Sequence, residues 1–304
     1  PQTKSLKTAN ENTSNSKSSI SPLLTCHWHQ RSPYNDLAPI ITDGNVKAVA
    51  GCVAIAAAQI VYYWRKYNPT ATLRDTPTYS YGKAPVTYSI PKGSPNYWHL
   101  MLDEYNRNSS EESRNAVAQL CYVIGTTSYL NYAVSTGGSI IDASNALYSQ
   151  FNILSEYTFK SEHTQSQWEN ILYTDLKNGY PIMCSGQEEN QGHAFVLDGY
   201  DSQLDLYHFN FGWGGDGDGY YTVDDSEFAM GGYSQNQSIV YNIHPSTYTS
   251  DIKLPYEQEH IDISDYSTTE NFHLYDINGR EITESPAHGI YIIKHKGKIQ
   301  KIIR

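Results

Sequence analysis

The chain has 304 residues, enough for one large domain and a small one beside it. Only 17% of the residues are charged, whereas tyrosine alone fills 27 positions, a composition more typical of secreted bacterial proteins than of cytoplasmic ones. The formal net charge of −11 argues against nucleic acid or an anionic membrane surface as a partner. No apolar stretch approaches the roughly 18–20 residues that a membrane-spanning helix needs, so no membrane span is predicted.

The first half of the chain is predicted to be mainly helical. Residues 1–20 are rich in Lys, Ser, Thr and Asn, which is typical of a flexible arm or a processing linker. A compact domain is expected over residues 21–246. Apolar periodicity and stop residues predict helices in its first part, over residues 51–67, 97–105, 113–124, 140–151 and 168–176.

From residue 181 the sequence pattern changes to short β-type runs separated by Gly- and Asp-rich turns. These runs cover residues 181–184, 193–197, 206–211 and 220–223. Helices followed by an antiparallel meander predict an α+β fold. Residues 247–304 are expected to form a linker and a small C-terminal β module, with a hairpin turn at the Asn-Gly pair of residues 278–279.

One cysteine and one histidine stand in contexts that suggest chemistry. Cys52 opens an apolar helical run, and a helix N-terminus offers N–H groups and partial positive charge that stabilise a thiolate. His193 lies in an apolar strand pattern 141 positions later. Each residue alone also fits an ordinary core position. Together, in this order and near the roughly 130–150 residue separation of papain-type peptidases, they predict a nucleophilic pair.

Two further motifs suit the same reaction. Gln30 would place an amide donor beside the Cys52 N–H and complete an oxyanion hole. Asn210 would orient the imidazole, and an aromatic such as Trp213 would shield it from water. The competing interpretations are a surface-loop glutamine and a Gly-rich turn with a packed tryptophan.

Metal sites are weaker interpretations. Cys26, His27 and His29 are close in sequence, but alternation along an extended segment points them to different faces, and no second ligand pair has zinc-like spacing. Residues 216–219 (DGDG) lack the terminal Glu of a calcium loop, which favours a hairpin. The sequence therefore predicts neither a metal nor a cofactor.

The motifs together resemble the streptopain family (C10) of papain-like bacterial cysteine peptidases. The resemblance covers residues 21–245 and rests on motifs in the same order, namely residues 30–35 (QRSPYN), 51–54 (GCVA), 58–60 (AQI), 192–199 (GHAFVLDG) and 207–215 (YHFNFGWGG). It implies a papain-like fold in which a helical half carries Cys52 and an antiparallel β half carries His193. The implied activity is endopeptidase cleavage of proteins, with an apolar residue preferred at the second position before the cut.

Carried onto this chain, the resemblance implies Cys52 as nucleophile, His193 as general base and then acid, and Gln30 as oxyanion donor. Ser135, Thr136 and Gly192 are implied to lie beside the substrate cleft. The family's usual Trp-Gly-Trp reads Phe-Gly-Trp here, with Phe211 at the first position. Asn210 and Trp213 both stay open as the third member of the site.

The resemblance also implies partners and location: protein or peptide substrates, secretion as a zymogen, and an N-terminal propeptide or a protein inhibitor. Residues 272–304, above all 289–292 (GIYI) and 301–304 (KIIR), resemble sorting signals of the type IX secretion route. A secreted or outer-surface bacterial protein is therefore expected. The alternatives are an acyl transferase or amidase on the same fold, and a non-catalytic peptide binder, which only Phe211 favours.

Overall fold

A computed structural model describes residues 17–42, 44–67, 72–189 and 191–248, and beyond these only the strands between residues 272 and 303. The chain divides into two units, Pro1–Pro245 and Ser246–Arg304. In the described part of the chain, none of the helices is long and apolar enough to cross a membrane.

Four α-helices supply the helical half of the first unit: α1 (Cys52–Trp64), α2 (Glu111–Thr127), α3 (Ile140–Phe151) and α4 (Gln165–Lys177). Side chains cap three of them, because Ser110, Ser139 and Thr164 each accept a backbone N–H from the first turn. The helix predicted over residues 97–105 is wrong. Only the single 3₁₀ turn Trp98–Leu100 forms there, since Met101 has extended backbone angles.

The β half is one antiparallel sheet of six strands in the order β3-β8-β4-β5-β6-β7. The first unit contains the short pair β1 (Ile40–Ile41) and β2 (Val46–Lys47), then β3 (Ile153–Phe159), β4 (Ile182–Glu188), β5 (Gln191–Asp201), β6 (Leu206–Asn210), β7 (Gly219–Tyr221) and β8 (Gln235–Pro245). The strands β3 and β8 were not predicted. The α+β class is confirmed.

Helix α1 lies at the centre of the helical half. It packs against α2, α3 and strand β5, and every residue in it except Cys52 and Tyr63 is buried. Four alanines in the first two turns keep its surface small, which lets its neighbours approach closely. A helix that is apolar on all sides belongs in a core, and this one carries the half-buried Cys52 at its N-terminus.

Residues 17–20, the described part of the segment before residue 21, pack against the rest of the first unit. Ile20 pairs with Tyr200 through two backbone hydrogen bonds of 2.7 and 2.8 Å. The Lys17 ammonium lies 5.3–5.8 Å from the ring centroids of three tyrosines, Tyr173, Tyr200 and Tyr207. Such cation–π contacts tie this part of the predicted arm to the sheet. Residues 1–16 lie outside the described residues.

The second unit contains a four-stranded antiparallel sheet in the order β10-β9-β11-β12. Its strands are β9 (Phe272–Tyr275), β10 (Glu281–Ile282), β11 (Ile290–His295) and β12 (Lys298–Ile303). The hairpin turn predicted at residues 278–279 lies outside the described residues. That this unit is a secretion sorting signal stays a prediction.

The burial of α1 leads to a stability prediction. Ile60 is fully buried, so Ile60→Ala removes apolar contact and leaves a cavity, and should lower the free energy of unfolding by about 2–5 kcal/mol in urea titrations. Tyr148→Ala, on the exposed side of α3, should change it by no more than about 0.5 kcal/mol. Equal losses in the two variants would contradict the central place of α1.

Candidate active site

Cys52 is the first residue of α1, and the turn before it requires glycine. Gly51 has a φ of 93°, and a Cβ there would lie 2.8 Å from the Thr136 methyl carbon. Because Gly51 has no side chain to cap the helix, the first N–H groups of α1 remain directed at the sulfur. Burial raises the pKa of the Cys52 thiol, while the backbone N–H groups of Ala194, Val53 and Cys52 itself lower it by less.

His193 lies on β5 beside Ala194, whose N–H faces the thiol, and it is only 6% exposed. Its Nε2 lies 2.8 Å from the carbonyl oxygen of Phe211. A carbonyl can only accept, so Nε2 carries a proton and Nδ1 is the nitrogen left for the thiol. Burial lowers the pKa of His193 to about 4, although the Phe211 carbonyl acts in the opposite direction.

Four aromatic rings surround the imidazole, and one of them, Phe195 of β5, is tilted against it with ring centroids 5.7 Å apart. Trp213 stacks on it with ring centroids 4.5 Å apart and an interplanar angle of 23°. Tyr233 is tilted against it at 5.2 Å, and the Phe211 ring lies further away at 6.2 Å. Trp213 therefore provides the closest cover, and the Phe211 ring, at the first position of the Phe-Gly-Trp motif, is the most distant of the four rings.

Asn210 does not touch the imidazole, which corrects the expectation that its side chain orients His193. Its Oδ1 accepts hydrogen bonds from Gln59 Nε2 (3.0 Å) and from the Gly212 N–H (3.1 Å). Its Nδ2 donates to the carbonyl oxygen of Cys26 (2.9 Å). Both ends of the amide are used inside the protein, and the acceptor for His193 comes from the backbone one residue later.

An open cleft of about 420 Å³ lies beside this site, and Trp213, which stacks on His193, is part of its lining. The cleft brings together three of the residues singled out from the sequence, Gln30, Ser135 and Trp213. His29, Arg31, Val49 and Val134 complete its lining. The Gln30 carbonyl accepts the Ala50 N–H at 2.9 Å, which holds Gln30 next to the turn that leads into Cys52.

The geometry agrees with comparisons to known proteins. A sequence profile of the Peptidase C10 family matches residues 28–221. The chain belongs to this family. Streptopain of Streptococcus pyogenes is 30% identical over 246 residues, which cover 72% of this chain and 60% of streptopain. The thiol protease/hemagglutinin PrtT of Porphyromonas gingivalis is 26% identical over 255 residues, covering 76% of this chain and 28% of PrtT.

Two solved structures share the fold. Active wild-type interpain A, a cysteine protease of Prevotella intermedia, has 31% identity and a TM-score of 0.65, covering 73% of this chain and 94% of that one. A fragment of prointerpain A from the same organism has 30% identity and a TM-score of 0.64, covering 75% and 73%. The expected papain-like fold is confirmed.

Two residues that the C10 resemblance placed beside the substrate do not line the cleft. Thr136 is buried, and its hydroxyl donates to the Val49 carbonyl (2.7 Å) and accepts from the Ala133 N–H (3.0 Å), so it supports the cleft wall from behind. Gly192 is exposed at the start of β5, opposite Gln187 on β4. It adjoins His193 in sequence and, like Cys52 and His193 themselves, is not among the residues that line the cleft.

Two residues of this C10 site were not predicted from the sequence. Tyr233 reaches the imidazole because its backbone crosses close over Gly186, where a Cβ would lie 2.2 Å from the Tyr233 carbonyl oxygen. Asp218 accepts the Phe211 N–H at 2.8 Å and pairs with His27 at 3.1 Å. Asp218 was expected only as part of a hairpin loop, and it proves to hold the residue whose carbonyl binds His193.

The metal hypotheses gain no support from the geometry. Among the residues that the structure describes, no group of three or more His, Cys, Asp and Glu side chains is arranged to hold a metal ion. Cys26 lies in the core, where its thiol donates to Gln59 Oε1 at 3.7 Å, while His27 turns outward to Asp218.

The burial of the four cysteines predicts selective labelling. All four are free thiols, and Cys26, Cys121 and Cys184 are buried in places that raise their pKa values, while Cys52 is partly open. Iodoacetamide at neutral pH should therefore add one label per folded chain, on Cys52, as measured by mass spectrometry. The Cys52→Ala variant should take up none, and two or more labels on the folded protein would contradict this arrangement.

Proposed function

We propose that this C10 family member is a secreted cysteine endopeptidase that hydrolyses peptide bonds through a Cys52 thiolate and a His193 imidazolium. The observation that carries the proposal is the fixed tautomer of His193. With Nε2–H committed to the Phe211 carbonyl, Nδ1 is the nitrogen that exchanges a proton with the thiol. A base held in one tautomer beside a nucleophile at a helix N-terminus is the arrangement that thiol acylation requires.

The reaction proceeds in two halves. The thiolate attacks the scissile carbonyl carbon, and the resulting oxyanion is stabilised by the Cys52 N–H and the Gln30 side-chain amide. The imidazolium then donates its Nδ1 proton to the leaving amine, and the C–N bond breaks to leave a thioester. In the second half Nδ1 takes a proton from water, the hydroxide attacks the thioester, and the acid product leaves as the thiolate is restored.

The charged pair depends on mutual attraction. Burial by itself favours the neutral thiol and the neutral imidazole, since it raises the pKa of Cys52 and lowers that of His193. When the proton moves from sulfur to Nδ1, each new charge becomes the partner of the other in a water-poor site. The N–H groups of Ala194 and α1 stabilise the thiolate, and the Phe211 carbonyl stabilises the imidazolium.

The proposed substrates are unstructured protein segments with an apolar residue at the second position before the cut. Val49 and Val134 give the cleft an apolar wall, and Ser135 offers a polar contact for a peptide backbone. An open cleft on the surface suits an extended chain better than a small molecule. Gly192, at the exposed start of β5, is proposed to contact the same peptide.

Secretion and synthesis as a zymogen are part of the proposal. Their support is the sparse charge of the chain, the resemblance of residues 272–304 to a sorting signal, and the existence of a proform for interpain A. The proposed partners are protein substrates and an N-terminal propeptide or protein inhibitor, and the proposed location is the outer surface or the medium of a bacterium.

Cleavage of an unfolded protein tests the activity directly. Under reducing conditions the parent chain should cut reduced, alkylated casein, while Cys52→Ala should lose all but a few per cent of the rate because no nucleophile remains. Mass spectrometry of the products gives the cut sites and hence the subsite preference. Residual cleavage well above that level in Cys52→Ala, with its fold intact by circular dichroism, would overturn the assignment.

The coupled pair predicts a bell-shaped pH dependence of kcat/KM between about pH 4 and 9. Activity rises as the thiol loses its proton to form the pair, and it falls as the imidazolium deprotonates. In His193→Ala the thiolate loses its partner, and because burial raises the thiol pKa, alkylation of Cys52 should accelerate only at alkaline pH. A flat profile for the parent chain, or identical alkylation profiles for the two proteins, would contradict the pair.

A further inference from the structure

We propose that Gln59 is a positioning residue that ties the helix of Cys52 to the backbone carbonyl that orients His193. The inference rests on the proposed peptidase function and adds a residue to its machinery. Gln59 touches neither the thiol nor the imidazole. It acts through one side chain and one peptide group.

The side chain of Gln59 lies in the core, fully buried, on α1 two turns after Cys52. Its Oε1 accepts the Trp28 N–H at 3.2 Å and the Cys26 thiol at 3.7 Å. Its Nε2 donates to Asn210 Oδ1 at 3.0 Å. One amide on α1 therefore joins the segment of Cys26 and Trp28 to the end of β6 at Asn210.

Obligate donors fix the orientation of both amides. The Trp28 N–H can only donate, so an oxygen of Gln59 must face it, which turns Nε2 toward Asn210. The Gly212 N–H likewise requires the oxygen of Asn210. The two side chains are thus held in a single arrangement by two backbone N–H groups, which can donate but not accept.

A single planar peptide group connects Asn210 to His193. The peptide group between Phe211 and Gly212 is planar, so its N–H and its C=O turn together. The N–H is held by Asn210 at 3.1 Å, and the C=O accepts the Nε2 proton of His193 at 2.8 Å. Holding the nitrogen end of this peptide therefore aims its oxygen at the imidazole.

Core packing alone does not explain a glutamine at position 59. Every other buried residue of α1 is an aliphatic or aromatic side chain, and an apolar residue of similar volume would fill this position without the cost of burying an amide. A buried amide is explained by its hydrogen bonds, and the one from Gln59 Nε2 fixes the side chain of Asn210.

The test compares two buried glutamines. Gln59→Met keeps length and volume but loses the donor and the acceptor. Gln150→Met is the matched control: Gln150 is 5% exposed on α3, accepts the Arg74 N–H at 2.8 Å and donates to Thr127 at 3.2 Å, and has no link to the site. Urea unfolding should show a loss of stability in both variants, because each removes the acceptor of a backbone N–H, and the loss should be larger in Gln59→Met, where the N–H of Trp28 is buried.

The catalytic readouts should separate the two variants. Gln59→Met should lower kcat by about 10–100-fold, because the carbonyl that accepts from His193 is no longer fixed through Asn210. KM should change less than about twofold. Its Cys52 alkylation rate at pH 6 should fall in parallel, and the His193 Nε2 proton should exchange faster by NMR. Gln150→Met should match the parent chain in all three readouts.

Parent-like kcat, alkylation and proton exchange in Gln59→Met would overturn the inference, as would equal losses in Gln150→Met. If Gln59→Met does not fold, Gln59→Leu is measured in the same way. A parent chain that neither cleaves casein nor reacts at Cys52 would instead overturn the proposed function. In that case the NMR exchange of the His193 proton still tests the positioning role by itself.

Discussion

The hydrogen bond from His193 Nε2 to the Phe211 carbonyl is the contact on which the site depends. It decides which nitrogen carries the proton, and with it which side of the ring can serve the sulfur. Because the acceptor is a backbone oxygen, the protein must control a loop rather than a side chain. The loop after β6 is accordingly held from two directions, by Asn210 at the Gly212 N–H and by Asp218 at the Phe211 N–H.

This loop also has to lie flat on α1. Gly212 has a φ of 68°, and a Cβ there would come within 3.0 Å of the Ile55 side chain. A larger residue would lift the loop and move the acceptor away from the imidazole. The packing of α1 therefore determines the geometry of the site, because α1 carries the sulfur at its N-terminus and supports the loop of the Phe211 carbonyl along its side.

Much of this arrangement could be predicted from the sequence. The apolar run after Cys52 and the strand around His193 are long, strongly patterned and bounded by glycine, so both elements were found. Strand β8 was missed because its first four residues are polar and its apolar part is short, which a single sequence does not distinguish from a loop. Strand β3 (ILSEYTF) has no regular alternation of apolar and polar residues in its sequence and was missed as well.

The finer contacts of the site could not be predicted because they leave little trace in residue identity. A backbone carbonyl as the histidine's partner is compatible with any residue at position 211, so Asn210 looked like the better candidate. Tyr233 reaches the imidazole only because Gly186, distant in sequence, leaves room for its backbone. Thr136 matched a substrate-side motif, yet its hydroxyl is consumed by the main chain behind the cleft.

The unequal exposure of the four thiols has a consequence for how the protein ages. Cys52 is the half-buried thiol of the four, so peroxide reaches it before the three buried cysteines, and oxidation to sulfenic acid and beyond begins there. In the proposed mechanism this oxidation removes the nucleophile, while the three buried cysteines stay unchanged. The proposed activity is then lost before the fold is, and a thiol reductant restores the thiol from the first oxidation stage, the sulfenic acid.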